Sequence, residues 1–243
     1  RMYVDEGYNP QGDGGGLTFS VRINVYGKSG DKMPIQTGPA NEVLLTQDNI
    51  GENGSTYDDG VDTFITGTDP NNYIWYSGKL WRAVSVNNED KTTKLVTQWD
   101  ISSESFGTVN FEGSNMQNWL NNTSASGFLG ALREPDKFIV MDAKWNATQI
   151  SDATTRPQDI TMVISPVGLL NIYEYVTSYK GTNYQNGYLN NDLWFWTLTP
   201  YDTSYVYTIS RTGDTKTDES FSNVIGIRPS INLKSDVKIV SGK

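Results

Sequence analysis

Tyr73-Ile-Trp-Tyr76, Ser77-Gly78 and Lys79-Leu-Trp-Arg-Ala-Val-Ser-Val86 read as two strands joined by a two-residue turn. The polar run Asn87-Asn-Glu-Asp90 then leads into Lys94-Leu-Val-Thr-Gln-Trp99, so three consecutive strands make an antiparallel meander. This unit decides the fold class, because the chain on its C-terminal side mixes further short strands with short helices.

Towards the N-terminus the texture changes. Residues 27–72 hold few apolar positions, and only Glu42-Val-Leu-Leu-Thr46 and Thr63-Phe-Ile-Thr66 pattern as ordered segments. Phe19–Tyr26 alternates strictly, with Phe19, Val21, Ile23 and Val25 on one face, and predicts a half-buried strand. Residues 1–16, with the Gly14-Gly15-Gly16 run, read as a loop or linker, and both Arg1 and Lys243 read as trimmed ends. A boundary is expected near 66, giving a small β-rich segment over 1–66 and a larger domain over 67–243.

Towards the C-terminus, Ser114 is placed to cap a short helix carrying Met116, Trp119 and Leu120, with Gln117 at the third position of a capping box. A second short helix is expected around Phe128, Leu129 and Leu132, ended by Pro135, and Phe138–Met141 reads as a strand. The longest helix is expected from Ser165-Pro166 to Gly181, with Val167, Leu170, Tyr173 and Val176 on one stripe. Leu193–Leu198, Val206–Ser210 and Ile225–Leu233 read as strands, Gly213 marking the turn between the second and third. The fold class is therefore α+β, with long loops.

Composition excludes whole classes of chemistry. The 243 residues hold no Cys and no His, so there is no disulfide, thiolate, imidazole base or cysteine–histidine metal site. Net charge is -9, against a phosphate-binding surface, so nucleic acid is not an expected partner. Aromatic residues reach 12%, enough for a buried core. No stretch is long and apolar enough to span a membrane, and no signal peptide is evident. The richness in Gly, Asn, Thr and Tyr suits an extracellular protein of a bacterial surface.

Candidate sites are few. Trp194 and Trp196 form either an aromatic platform for sugar rings or core packing on one strand face. Asp58, Asp59 and Asp62 could gather round calcium, but their spacing matches no EF-hand loop, so no metal and no cofactor is assigned. Glu104, Glu112, Glu134 and Glu174 are the carboxylates open to acid–base work, each also readable as a surface charge. Gly12-Asp-Gly-Gly-Gly16 lacks the Lys-Ser/Thr of a phosphate loop. Arg82 and Arg228 sit in apolar strands, and at least one is expected to be buried against carbonyls or a carboxylate.

Asn72–Arg82, Asn190–Pro200 and Gly226–Leu233 carry, in order, a Trp-Arg strand, a Trp-x-Leu-x-Pro strand and a Gly-Ile-Arg-Pro strand. With Phe111–Asn121 and Val167–Tyr175, this order resembles a family of uncharacterised domains in secreted and surface proteins of Firmicutes and related gut bacteria, some of them pilin-type. The resemblance covers about residues 70–241. The late pattern is also similar to the C-type lectin-like fold, which includes formylglycine-generating enzymes and their non-catalytic relatives. It implies a twisted antiparallel sheet with two or three helices, and structural roles for Trp81, Arg82, Trp194, Trp196, Arg228 and Pro229. The enzyme branch needs cysteines that are absent, and the Glu-Pro-Asn or Gln-Pro-Asp signature of calcium-dependent lectins is absent too.

These readings converge on a non-catalytic extracellular adhesion module that recognises a glycan or a surface protein. Loops 100–113, 142–160, 177–192 and 211–223 would form the recognition face. Tyr179, Tyr184, Tyr188, Tyr201 and Tyr205 lie in or beside them as candidate contacts. The alternative is a self-associating pilus or surface-layer subunit using the 19–26 strand as an edge. A carboxylate-based glycan hydrolase ranks third.

Overall fold

The computed structural model describes residues 37–181 and 183–239. The expected linker over 1–16 and strand over 19–26 lie outside the described residues. The chain begins with β1 (Gly38–Pro39), the helical turns α1 (Ala40–Val43) and α2 (Gln47–Ile50), and a hairpin of β2 (Gly54–Asp58) and β3 (Asp62–Gly67). The meander follows as β4 (Tyr73–Tyr76), β5 (Lys79–Asn87) and β6 (Thr93–Thr97). Next come β7 (Ser102–Glu104), α3 (Asn115–Leu120), a 3-10 turn at Leu129–Ala131 and α4 (Pro135–Phe138). A ribbon of β8 (Lys144–Asn146) and β9 (Met162–Ile164) precedes β10 (Val167–Gly168) and α5 (Ile172–Thr177). The last strands are β11 (Phe195–Pro200), β12 (Tyr205–Ile209), β13 (Thr215–Glu219), β14 (Ile225–Ile227), β15 (Ser230–Leu233) and β16 (Lys238–Ile239).

The architecture is mixed α+β, with mostly antiparallel sheets and short helices. Seven strands form the larger sheet in the order β10-β15-β6-β5-β3-β2, with β4 and β3 sharing one edge of β5. Five strands form the second sheet, β13-β12-β11-β14-β7, in which β11 and β14 run parallel. The chain passes from the second sheet to the first across Arg228 and Pro229, between β14 and β15. β1 and β16 pair with each other, Gly38 opposite Ile239.

The hairpin expected at 73–86 forms because both turn residues, Ser77 (φ 55) and Gly78 (φ 71), take the left-handed conformation that matches strand twist. Between Ala83 and Ser85 the β5–β6 register slips: Ala83 faces Leu95, yet Ser85 faces Lys94. Val84 is the extra residue of this bulge, and such a bulge turns neighbouring side chains to one side. Two apolar clusters result. Trp81, Ala83, Leu95, Ile231 and Leu233 belong to one. Phe64, Val84 and Val96 belong to the other, together with Ile172, Tyr173, Tyr175 and Val176 of α5. Each good-sized apolar side chain buried this way contributes about 1.5–3 kcal/mol.

Several sequence expectations are corrected. No helix runs from Ser165. Residues 167–168 are extended and pair with Ile231 and Ser230, and an added Cβ at Gly168 would lie 2.3 Å from Trp145 Cδ2. The helix starts instead at Asn171, whose side chain accepts the Glu174 N–H while the Glu174 carboxylate accepts the Asn171 N–H, each at 2.9 Å. Pro135 opens a helical turn and does not close one, so Phe138 is helical and Ile139 makes an isolated bridge to Leu233. The helix expected at 128–132 is a 3-10 turn. β13 lacks an apolar pattern and was not foreseen; five cross-strand pairs with β12 hold it.

Ser114 caps α3 as expected, accepting the Gln117 N–H at 3.0 Å, although the Gln117 side chain accepts from Gly113 and not from Ser114. The boundary expected near 66 falls inside β3, whose Phe64 and Ile65 are both buried. No helix among the described residues is long and apolar enough to cross a membrane.

Candidate functional site

Register places three polar side chains in one row across the middle of the larger sheet. Lys94 of β6 pairs with Ser85 of β5 on one side and Asn232 of β15 on the other. Alternation puts Lys94 and Asn232 on the face that α5 covers, opposite Leu95, Ile231 and Leu233, and the Val84 bulge brings Ser85 round to the same face. These residues line the floor of a cleft of about 470 Å³.

Ser85 is 2% exposed and Asn232 9%, yet neither side chain makes a hydrogen bond among the described residues. The side-chain nitrogen of Asn171, also lining the cleft, is likewise without an acceptor there. Lys94 forms an ion pair with Glu174, and its ammonium lies 5.1 Å from the Trp145 ring. Glu174 is held at both oxygens, one by Lys94 and one by the Asn171 N–H. The floor thus offers a hydroxyl, two amides, an ammonium and a carboxylate within one small space, an alternation of donors and acceptors suited to a polyol.

One wall is built around Arg156. Its guanidinium donates to Asp59 and to Asp62, and Tyr173 of α5 donates its hydroxyl to Asp59 at 2.9 Å. Burial pushes the Asp59 carboxyl up, but the Asp62 and Val61 N–H groups, Tyr173 and Arg156 together hold it below the usual carboxylate range. Burial, then the Asp59 charge, raise Tyr173 to about 12, so its hydroxyl stays a donor. Two of the three carboxylates considered for calcium, Asp59 and Asp62, are therefore engaged by a guanidinium, while Asp58 accepts from Asn88 and the Gly60 N–H.

The expected structural residues are mostly interior. Trp81, Arg82, Trp196, Arg228 and Pro229 are buried. Arg82 donates to the Pro70 carbonyl at 3.1 Å and lies between the rings of Tyr73 (3.8 Å) and Tyr188 (4.7 Å). Arg228 donates to the Thr97 and Leu189 carbonyls at 2.9 and 2.6 Å. Burial lowers Arg228 to about 10, opposed by the charge of Asp100. Trp194 departs from the expectation: it precedes β11, is 41% exposed and borders a second depression with Asp100 and Arg211.

None of the five candidate tyrosines lines the cleft. Tyr188 is withdrawn as a contact residue, because it is 4% exposed and its hydroxyl donates to the Ala83 carbonyl. Tyr179 and Tyr184 are half-buried, Tyr184 bonded to Thr215, while Tyr201 and Tyr205 are exposed beside the β11–β12 turn. Of the proposed recognition loops, 142–160 borders the cleft. Glu104, Glu112 and Glu134 lie outside the cleft lining.

Comparison with curated proteins and with solved structures finds no match in either. A family match covers residues 91–235, over half of the chain. It takes in Lys94, Arg156, Tyr173, Glu174 and Asn232 of the cleft but starts beyond Ser85, Asp59 and Asp62. The chain belongs to the family described as Domain of unknown function (DUF6273).

Proposed function

We propose that this domain is a non-catalytic recognition module of the bacterial cell surface, and that it binds a glycan in the cleft between α5 and the 142–162 segment. The observation that carries this reading is that Ser85 and Asn232, flanking the paired Lys94 on the cleft floor, make no side-chain hydrogen bond among the described residues. Both line the cleft, so their donors and acceptors are available to an external partner. A pyranose ring presents hydroxyls that both donate and accept, matching that floor, and the volume of about 470 Å³ suits one or two rings.

The absence of catalysis from this proposal rests on how the inner carboxylates are used. Glu174, Asp59 and Asp62 are each engaged by a cation, leaving none of them poised to move a proton to a substrate. The C-type lectin-like reading of the fold and the cell-surface location rest on the sequence resemblance and on composition. The interior Trp196 and Arg228 suit the structural roles that resemblance assigns them.

A glycan array probed with and without calcium, followed by titration of the best binder with Asn232→Ala and Ser85→Ala variants, tests the proposal. Binding weakened about tenfold or more by either change, with melting unchanged, is the expected result. An array without binders, or affinities indifferent to both substitutions, overturns it and favours the self-associating reading.

A further inference from the structure

We infer that the glycan this cleft accepts carries a free amino group, as an amino sugar does, with its hydroxyls on the floor and its ammonium at the mouth. The inference rests on the glycan reading above and adds the charge of the ligand. The inner acids are neutralised: Glu174 by Lys94, Asp62 by Arg156. The rim is not. Among the described residues, Glu89, Asp90, Asp142 and Asp159 line it, and Lys144 is the lining cation not already paired with an acid.

Two of these rim acids have structural duties, since Asp90 accepts from Thr92 and Asp159 from Asn146. Glu89 and Asp142 accept no hydrogen bond among the described residues, and both are exposed. The floor supplies the independent sign of a ligand, since Ser85 and Asn232 are more than nine-tenths buried, line the cleft and make no side-chain hydrogen bond among the described residues. An acidic mouth over such a floor repels uronic or sialic acids, is indifferent to neutral sugars, and attracts a protonated amine. At separations of several ångströms in a wet cleft the advantage is about tenfold in affinity. Because the rim charges are exposed, it is lost on screening by salt.

The test is calorimetric titration of the intact protein with a β-1,4-glucosamine oligomer and with its fully N-acetylated counterpart, at low and at high salt. The expected result is about tenfold tighter binding of the amine form at low salt, a ratio falling towards one at high salt, and a lost preference in the Glu89→Gln/Asp142→Asn double variant. Both positions are exposed, so the variant keeps its fold, checked by its melting curve. Equal affinities at low salt, or tighter binding of the acetylated form, overturn the inference and leave the glycan reading standing. Binding of neither oligomer, when the array finds another sugar, also overturns it alone. No sugar bound on the array removes both.

Discussion

The Tyr173 hydroxyl and the Asp59 carboxylate meet at 2.9 Å, joining the first turn of α5 to the β2–β3 turn. Arg156 approaches the same carboxylate from the far side of the chain, so three segments converge on one anion. Tyr173→Phe removes one donor and is expected to cost about 1 kcal/mol. Arg156→Ala leaves Asp59 and Asp62 facing each other without a cation and costs more, about 2–3 kcal/mol. Urea denaturation of the two variants at neutral pH checks the order; equal effects would count against Arg156 as the hub.

Asp100 makes the protein pH-sensitive in the opposite sense from Asp59. Burial raises its carboxyl from 3.8 to about 6, with Arg228 pulling the other way. Between those values the folded state retains a proton that the unfolded chain has released, so this group's contribution falls as pH rises from about 4 to about 6. Asp100→Asn is expected to be more stable than the parent at pH 7, on the order of 1 kcal/mol after discounting for partial solvation, with no gain at pH 3.5. Paired melting curves across that range read the difference directly.

The free side chains on the cleft floor predict a separation of stability from binding. Ser85→Ala or Asn232→Leu removes polar groups that make no hydrogen bond among the described residues, so folding loses little or gains, within about 1 kcal/mol. Glycan binding is expected to fall about tenfold or more in the same variants. Destabilisation beyond about 2 kcal/mol would instead show that these groups are satisfied in the folded protein.

Trp145 supports Lys94 and is itself supported by Gly168, where an added Cβ would sit 2.3 Å from the indole. Gly168→Ala should therefore displace the indole, cost about 1–3 kcal/mol and loosen the Lys94–Glu174 pair. A crystal structure or Trp fluorescence shift of that variant would reveal the displaced ring. An unshifted indole would mean that β10 yields instead.

The meander was legible because its turn residues and alternation agree. Ser77-Gly78 dictates the hairpin, and β5 is apolar on both faces where it is central. The false helix at Ser165 shows the limit: an apolar run of period 3.6 also fits two extended residues, a loop and a short helix when a capping box at Asn171 competes. The cleft was less legible. Lys94 within Lys94-Leu-Val-Thr and Asn232 between Ile231 and Leu233 are polar intrusions in apolar strands, a signal present in the sequence. Their alignment was not, because it depends on a register slip at Val84 and on pairing between strands over 130 residues apart. Arg156 lies in a loop with no periodicity, and nothing local announces that it reaches Asp59 and Asp62.

The pairing of Gly38 with Ile239 brings the two ends of the described chain to one point. Tension applied there would be borne by a ladder two residues long and would open it like a zipper, one rung at a time. The broad sheets, whose strands would have to slide past each other, would see little of that load until the ladder had parted. Load entering at Gly38 and Ile239 would therefore part β1 from β16 before it reached the strands that shape the cleft.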